Sequence, residues 1–242
     1  MAGPVVDTST AQELMGQITE QISVPELSVI AGDLEQKSAL FQETLATPGG
    51  LDRDSLRRVL RQVFATRRKA DQILDVVTPA KLGGAVEELL HSEDALTERF
   101  ARFDQVLAEF PEQGFDLPGE LLHFTFPDTY WLWTRWVWDP RSETGALPLV
   151  VTEDVDLVGA ESRGAAYVTV GQALAFVDET GKAAGFTAVG RGLFGADVFL
   201  AAVYGVYMYT ILRMRMTQEF NRVVPPLPDL VRRLLGVYHM EA

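Results

Sequence analysis

The sequence predicts a mainly α fold, a multi-helix array, with room for one small β-hairpin in the middle at about 129–151. Three observations predict it. Apolar residues recur at three- and four-residue intervals through the first 110 positions and again after residue 163. Hydrophobic residues make up 47% of a 242-residue chain, and a compact chain of this length buries roughly 70–75% of its unfolded surface. Between the two helical stretches the pattern changes, and aromatic residues crowd together where helical spacing fades. The organisation expected is one domain over 1–242. It comprises an N-terminal helical array at about 10–110, an aromatic strip with the hairpin at 119–152, and a C-terminal helical part at 163–237.

Each element has a local reason. Thr10-Ala11-Gln12-Glu13 has the form of a capping box, opening a helix with Leu14, Ile18 and Ile22 on one face. Pro25 suits the first turn of a second helix carrying Leu27, Ile30, Leu34 and Phe41, which Thr47-Pro48-Gly49-Gly50 stops. Asp52 caps a third, whose apolar face is Leu56, Val59, Leu60, Val63 and Phe64. A fourth covers about Leu82 to His91. Ser92 caps a fifth, with the seam Leu96, Phe100, Phe103, Leu107 and Phe110, ended by Pro111 and Gly114.

Leu121 to Trp138 holds all four tryptophans, at 131, 133, 136 and 138. Their alternation fits a strand, while Pro127-Asp128-Thr129 equally fits the cap of a short helix. Asp139 to Gly145 is a turn by composition, and Leu147 to Val151 a short strand. Beyond the acidic loop around Glu153 to Asp156, Ala165 to Glu179 reads as helix. A long apolar helix follows from about Gly195 to Phe220, then a short one over Leu230 to Val237, past Pro225-Pro226.

Charge and composition narrow the function classes. A net charge of -13 opposes free nucleic acid as the main partner, because a phosphate backbone needs a basic footprint. The absence of cysteine removes disulfides, thiolate metal sites and cysteine nucleophiles, and fits a reducing, cytoplasmic setting. Met1 to Asp7 lacks the basic and apolar regions of a signal peptide. Leu193 to Leu212 approaches the length of a membrane span, but it contains Asp197 and places its tyrosines mid-segment, so a buried helix is the expectation.

Four arrangements bear on chemistry. Glu88 with His91, and Glu120 with His123, form two Glu-x-x-His units, the spacing by which di-iron or di-manganese bundles set two ligands on one helix face. The plainer reading is a surface glutamate beside a half-buried histidine. Gly190 to Gly195 is a formal GxGxxG ahead of a helix, but it lacks the strand and parallel sheet that dinucleotide binding requires. Tyr130, Trp131, Trp133, Arg135, Trp136 and Trp138 are residue types of interface hot spots, set against the alternative that they are core, with Arg135 reaching Asp128 or Asp139. Arg53, Arg57, Arg58, Arg61, Arg67, Arg68 and Lys69 gather seven of 21 cations in one stretch, either a docking face or a solvated one. No GxSxG, Walker or HExxH pattern occurs, and His91, His123 and His239 sit in no nucleophile-supporting context.

The residues Glu98-Arg99-Phe100, Leu121-Leu122-His123-Phe124 and Phe126-Pro127-Asp128-Thr129-Tyr130 resemble small helical modules attached to restriction and phage-defence proteins. That likeness implies a nucleic-acid-associated defence component and carries no functional residue across. The residues themselves lead to a different expectation: a non-catalytic accessory protein, without cofactor, that binds itself or a larger protein assembly. The surfaces expected to do so are the aromatic strip and the basic face with Arg57, Arg61 and Arg68. The alternative is an oxidative di-metal enzyme on the Glu-x-x-His units.

Overall fold

A computed structural model describes residues 5–187, 192–215 and 225–238. Among them it contains ten α-helices: α1 (Thr8–Thr19), α2 (Val24–Leu45), α3 (Arg53–Gln62), α4 (Ala70–Val76), α5 (Pro79–His91), α6 (Leu96–Val106), α7 (Pro111–Thr125), α8 (Arg163–Ala184), α9 (Gly195–Arg215) and α10 (Leu227–Leu234). A single 3₁₀ turn covers Leu147–Leu149. The mainly helical expectation holds. The chain forms two compact units, one of Met1–Glu35, Trp136–Asp156 and Ala173–Ala242, the other of Gln36–Arg135 and Leu157–Gln172.

The first unit is organised around α9, which buries Val198, Phe199, Leu200, Ala201, Ala202 and Val203 almost completely and packs on α1 and α10. No helix of the described residues is long and apolar enough to cross a membrane. At the N-terminus of α1 the cap is Asp7, whose carboxylate accepts from the Thr10 backbone N–H at 3.0 Å and from its hydroxyl at 2.7 Å. The expected capping box at Thr10 thus lies one turn inside the helix. In α10, Arg232 points toward Asp33 and Glu26 of α2, at 3.6 and 3.9 Å.

The hairpin of about 129–151 does not form. Residues 130–134 are irregular, and the pairing that follows amounts to one isolated bridge, Asp139 to Thr144, plus bonds from Ala146 N–H to Trp136 O and from Leu147 N–H to Val137 O. Pro140 and Pro148 lack the N–H groups that would extend a ladder, and Pro148 lies in the first turn of the 3₁₀ segment where a strand was expected. Gly145 holds the closure at φ 152°, against the Val137 carbonyl.

The second unit packs α3 against α4 and against α5, with α6 and α7 against α5 and against each other. Asp52 caps α3 by accepting from Ser55 N–H at 2.8 Å, as the sequence suggests. Two boundaries differ from expectation. Pro111 opens α7 at its first turn rather than ending α6, a position where a missing N–H costs nothing. Helix α6 begins at Leu96, after a turn in which Ser92 Oγ accepts from Asp94 N–H. Helix α7 is buried along most of its length, and at Gly119 a Cβ would collide with the Trp133 carbonyl. Glycine is required there by close approach.

Candidate functional site

The second unit has a row of buried polar groups along α7. Asp116, Glu120 and His123 fall at i, i+4 and i+7, one helix face, and expose 6%, 1% and 2% of their surface. Each is held. Arg135 donates to Asp116 from its backbone N–H at 2.8 Å, from Nη2 at 2.8 Å and from Nε at 3.1 Å. Asp116 is thus its partner, in place of the Asp128 or Asp139 expected from sequence. His123 donates from Nδ1 to the Tyr130 carbonyl at 2.8 Å. Glu120 accepts from the Lys37 ammonium of α2 at 2.5 Å, both side chains closed to solvent. Lys37 Nζ also lies 4.0 Å from the Phe124 ring centroid. Burial pushes the Glu120 carboxyl above its ordinary value, against the opposing pull of Lys37.

These contacts bear on the Glu-x-x-His units. In one of them the Glu120 carboxylate is paired with the Lys37 ammonium. In the other unit Glu88 pairs with Arg102 at 2.5 Å, and His91 donates from Nε2 to the Leu45 carbonyl at 2.8 Å. The two units do not converge, and among the described residues no group of three or more His, Asp or Glu side chains could hold a metal ion. Of the GxGxxG stretch, Gly190 and Arg191 lie outside the described residues, as does His239. Gly192 faces the Glu35 carboxylate and Asp197 is buried in the first turn of α9, so acid surrounds a helix entry where a pyrophosphate would need the opposite charge.

The aromatic strip is mostly core. Trp133, Trp136 and Trp138 expose 2%, 7% and 4% of their surface; Tyr130, Trp131 and Arg135 are half-buried. The strip crosses from one compact unit to the other between Arg135 and Trp136, which divides the indole load between two cores. Trp133 stacks edge-on against Phe115 at 5.0 Å and neighbours Tyr167; Trp136 meets Tyr204 at 6.4 Å. The Tyr167 hydroxyl donates to the Trp131 carbonyl at 2.8 Å, and its burial raises the phenol's pKa. Tyr130 OH accepts from Arg99 at 3.0 Å.

The arginine stretch divides in two. Arg53 pairs with Asp75 at 2.6 Å, Arg57 and Arg61 share Asp71 at 2.7 and 3.1 Å, and Arg58 approaches Glu43 at 3.7 Å. Hydrogen bonding from Arg57 first, then Arg61, holds the Asp71 carboxyl below its ordinary value. Beyond them, α3 ends at Gln62 because Val63 turns extended (φ -96°, ψ 125°), and the chain makes a corner before α4. Thr66 pins that corner: its fully buried hydroxyl donates to the Leu60 carbonyl at 2.5 Å. Phe64, expected on the apolar face of α3, is therefore turned outward and 47% exposed. Arg67 is half-exposed and Arg68 and Lys69 are exposed beside it, none with an ion-pair partner among the described residues. Helical periodicity alone hid Phe64, since the pattern runs unbroken through a point where the backbone leaves the helix.

No family model matches the chain, and comparison with curated proteins and with solved structures returned no match.

Proposed function

We propose that the chain is a non-catalytic interaction protein that grips an acidic protein surface with the corner between α3 and α4. One observation carries the reading: Phe64, 47% exposed, is followed within five residues by Arg67, Arg68 and Lys69, which have no ion-pair partner among the described residues, on a chain of net charge -13. Leaving about half of Phe64 in water forfeits roughly 0.7–1.5 kcal/mol of burial, and aromatic and arginine side chains are what interfaces use for affinity. Burial of most of the tryptophan strip shifts the contact from Trp133, Trp136 and Trp138 to this corner. Arg57 and Arg61, partly exposed on α3, are neutralised by Asp71, while Arg68 is exposed. A reducing, cytoplasmic setting suits a chain without cysteine.

The test is quantitative co-purification from the native host of the wild-type chain and an Arg67→Glu/Arg68→Glu variant. The reading predicts partners that the wild type retains and the variant loses by roughly tenfold or more. Identical recoveries by the two proteins would overturn it.

A further inference from the structure

Within the second unit, α3 links two surfaces of complementary form. Its C-terminal end leads into the corner, where Phe64 is exposed and Arg67, Arg68 and Lys69 follow within five residues. Its N-terminal end borders an open depression of about 450 Å3, lined by Gly50, Leu51, Asp52, Ala80, Gly83, Gly84 and Glu87. Glycine and alanine of α5 line it together with Leu51, and so do the carboxylates of Asp52 and Glu87. Asp52 is held below the usual carboxylate range by the Ser55 N–H it accepts from, so it stays charged. Space is open above Gly84, where an added Cβ would meet nothing within 4 Å. One face is basic and carries an exposed aromatic ring; the other sets two carboxylates among small side chains.

We propose that the corner of one copy docks into the depression of a second copy of this chain. The inference rests on the corner's being an interaction surface and names its partner. Charge complementarity selects that partner: Arg67, Arg68 and Lys69, without ion-pair partners among the described residues, meet the Asp52 and Glu87 carboxylates. The contact is between copies because α3 holds corner and depression apart; Asp52 to Val63 spans about 16 Å of rigid helix. Each copy offers both halves, so the contact is heterologous and adds copies in a row.

The two halves are disabled separately. Phe64→Ala/Arg68→Glu disables the corner and leaves the depression. Gly84→Leu fills the depression, and leucine is the better helix former, so the thermal midpoint holds or rises. Sedimentation velocity on the full chain reads the outcome. Wild type shows a mass that climbs with concentration from 26.7 kDa and falls back in high salt. Each variant alone stays monomeric, with association weakened at least roughly tenfold, and their equimolar mixture makes a species that stops at two chains. Association by Gly84→Leu equal to wild type would overturn the proposal, as would a mixture without the two-chain species. A monomeric wild type whose corner variant still loses cellular partners would sink the self-contact alone; if no partner is lost either, the proposed function falls with it. Co-sedimentation with anionic phospholipid vesicles, abolished by Phe64→Ala/Arg68→Glu and indifferent to Gly84→Leu, would replace the second copy with a membrane surface.

Discussion

Replacing Lys37 by Met and Glu120 by Leu, singly and together, tests how the second unit tolerates charge in its core. The two groups meet at 2.5 Å with 0% and 2% side-chain exposure. At an effective dielectric of about 20 their attraction is about 6–7 kcal/mol, and the Phe124 face adds about 1–2 kcal/mol. Desolvating two ions costs several kcal/mol each. The sum lies near zero, so the pair is close to neutral in stability although either charge alone is expensive. Each single substitution is expected to cost about 3–5 kcal/mol, and the double substitution to restore wild-type stability or exceed it by about 1–4 kcal/mol. Urea unfolding with a double-mutant cycle measures this directly. Additive losses, with the double variant as unstable as the sum of the singles, would refute the reasoning, because they would mean that each side chain stabilises independently of the other.

Two further outcomes follow from the same contacts. Asp7, Asp52, Asp71 and Asp94 all lie below 3.8 in the folded chain; each contributes stability present above 3.8 and lost as pH falls through its depressed folded value. Glu120 and Asp104, raised by burial, act the other way and contribute stability that disappears as pH rises through their raised values. The difference in thermal midpoint between wild type and Asp71→Asn should therefore shrink as pH falls below 3.8, and a difference constant with pH would contradict the Arg57 and Arg61 pairing. Gly119→Ala, forced against the Trp133 carbonyl, should cost about 1–3 kcal/mol, or roughly 2–4 °C per kcal/mol in thermal midpoint; unchanged melting would show that α7 sits farther from Trp133.

Signals confined to a few neighbouring residues were legible in the sequence. Asp52 as a cap, Leu56, Val59 and Leu60 as a buried stripe, and Gly49-Gly50 as a helix stop need only local chemistry. Signals with two meanings misled. Pro111 serves equally as a stop or as a first helical residue, and only packing chooses. Helix α4 has seven residues, too few for periodicity to announce it. The candidate site depended on distant pairings that local patterns do not contain: Lys37 and Glu120 are 83 positions apart, and the exposure of Phe64 follows from a buried threonine hydroxyl two residues on. The tryptophans were expected to exceed one core, and two cores share them.

The most direct measurement compares two aromatic side chains of equal exposure. Phe64 and Phe176 are each 47% exposed, but Phe64 is followed in the chain by Arg67, Arg68 and Lys69, which have no ion-pair partner among the described residues. Replacing each in turn by a photo-crosslinking phenylalanine in the native host should give discrete protein adducts from position 64 and none from position 176. Equal adducts from both positions, or none from either, would contradict the assignment of the α3–α4 corner as the interaction surface.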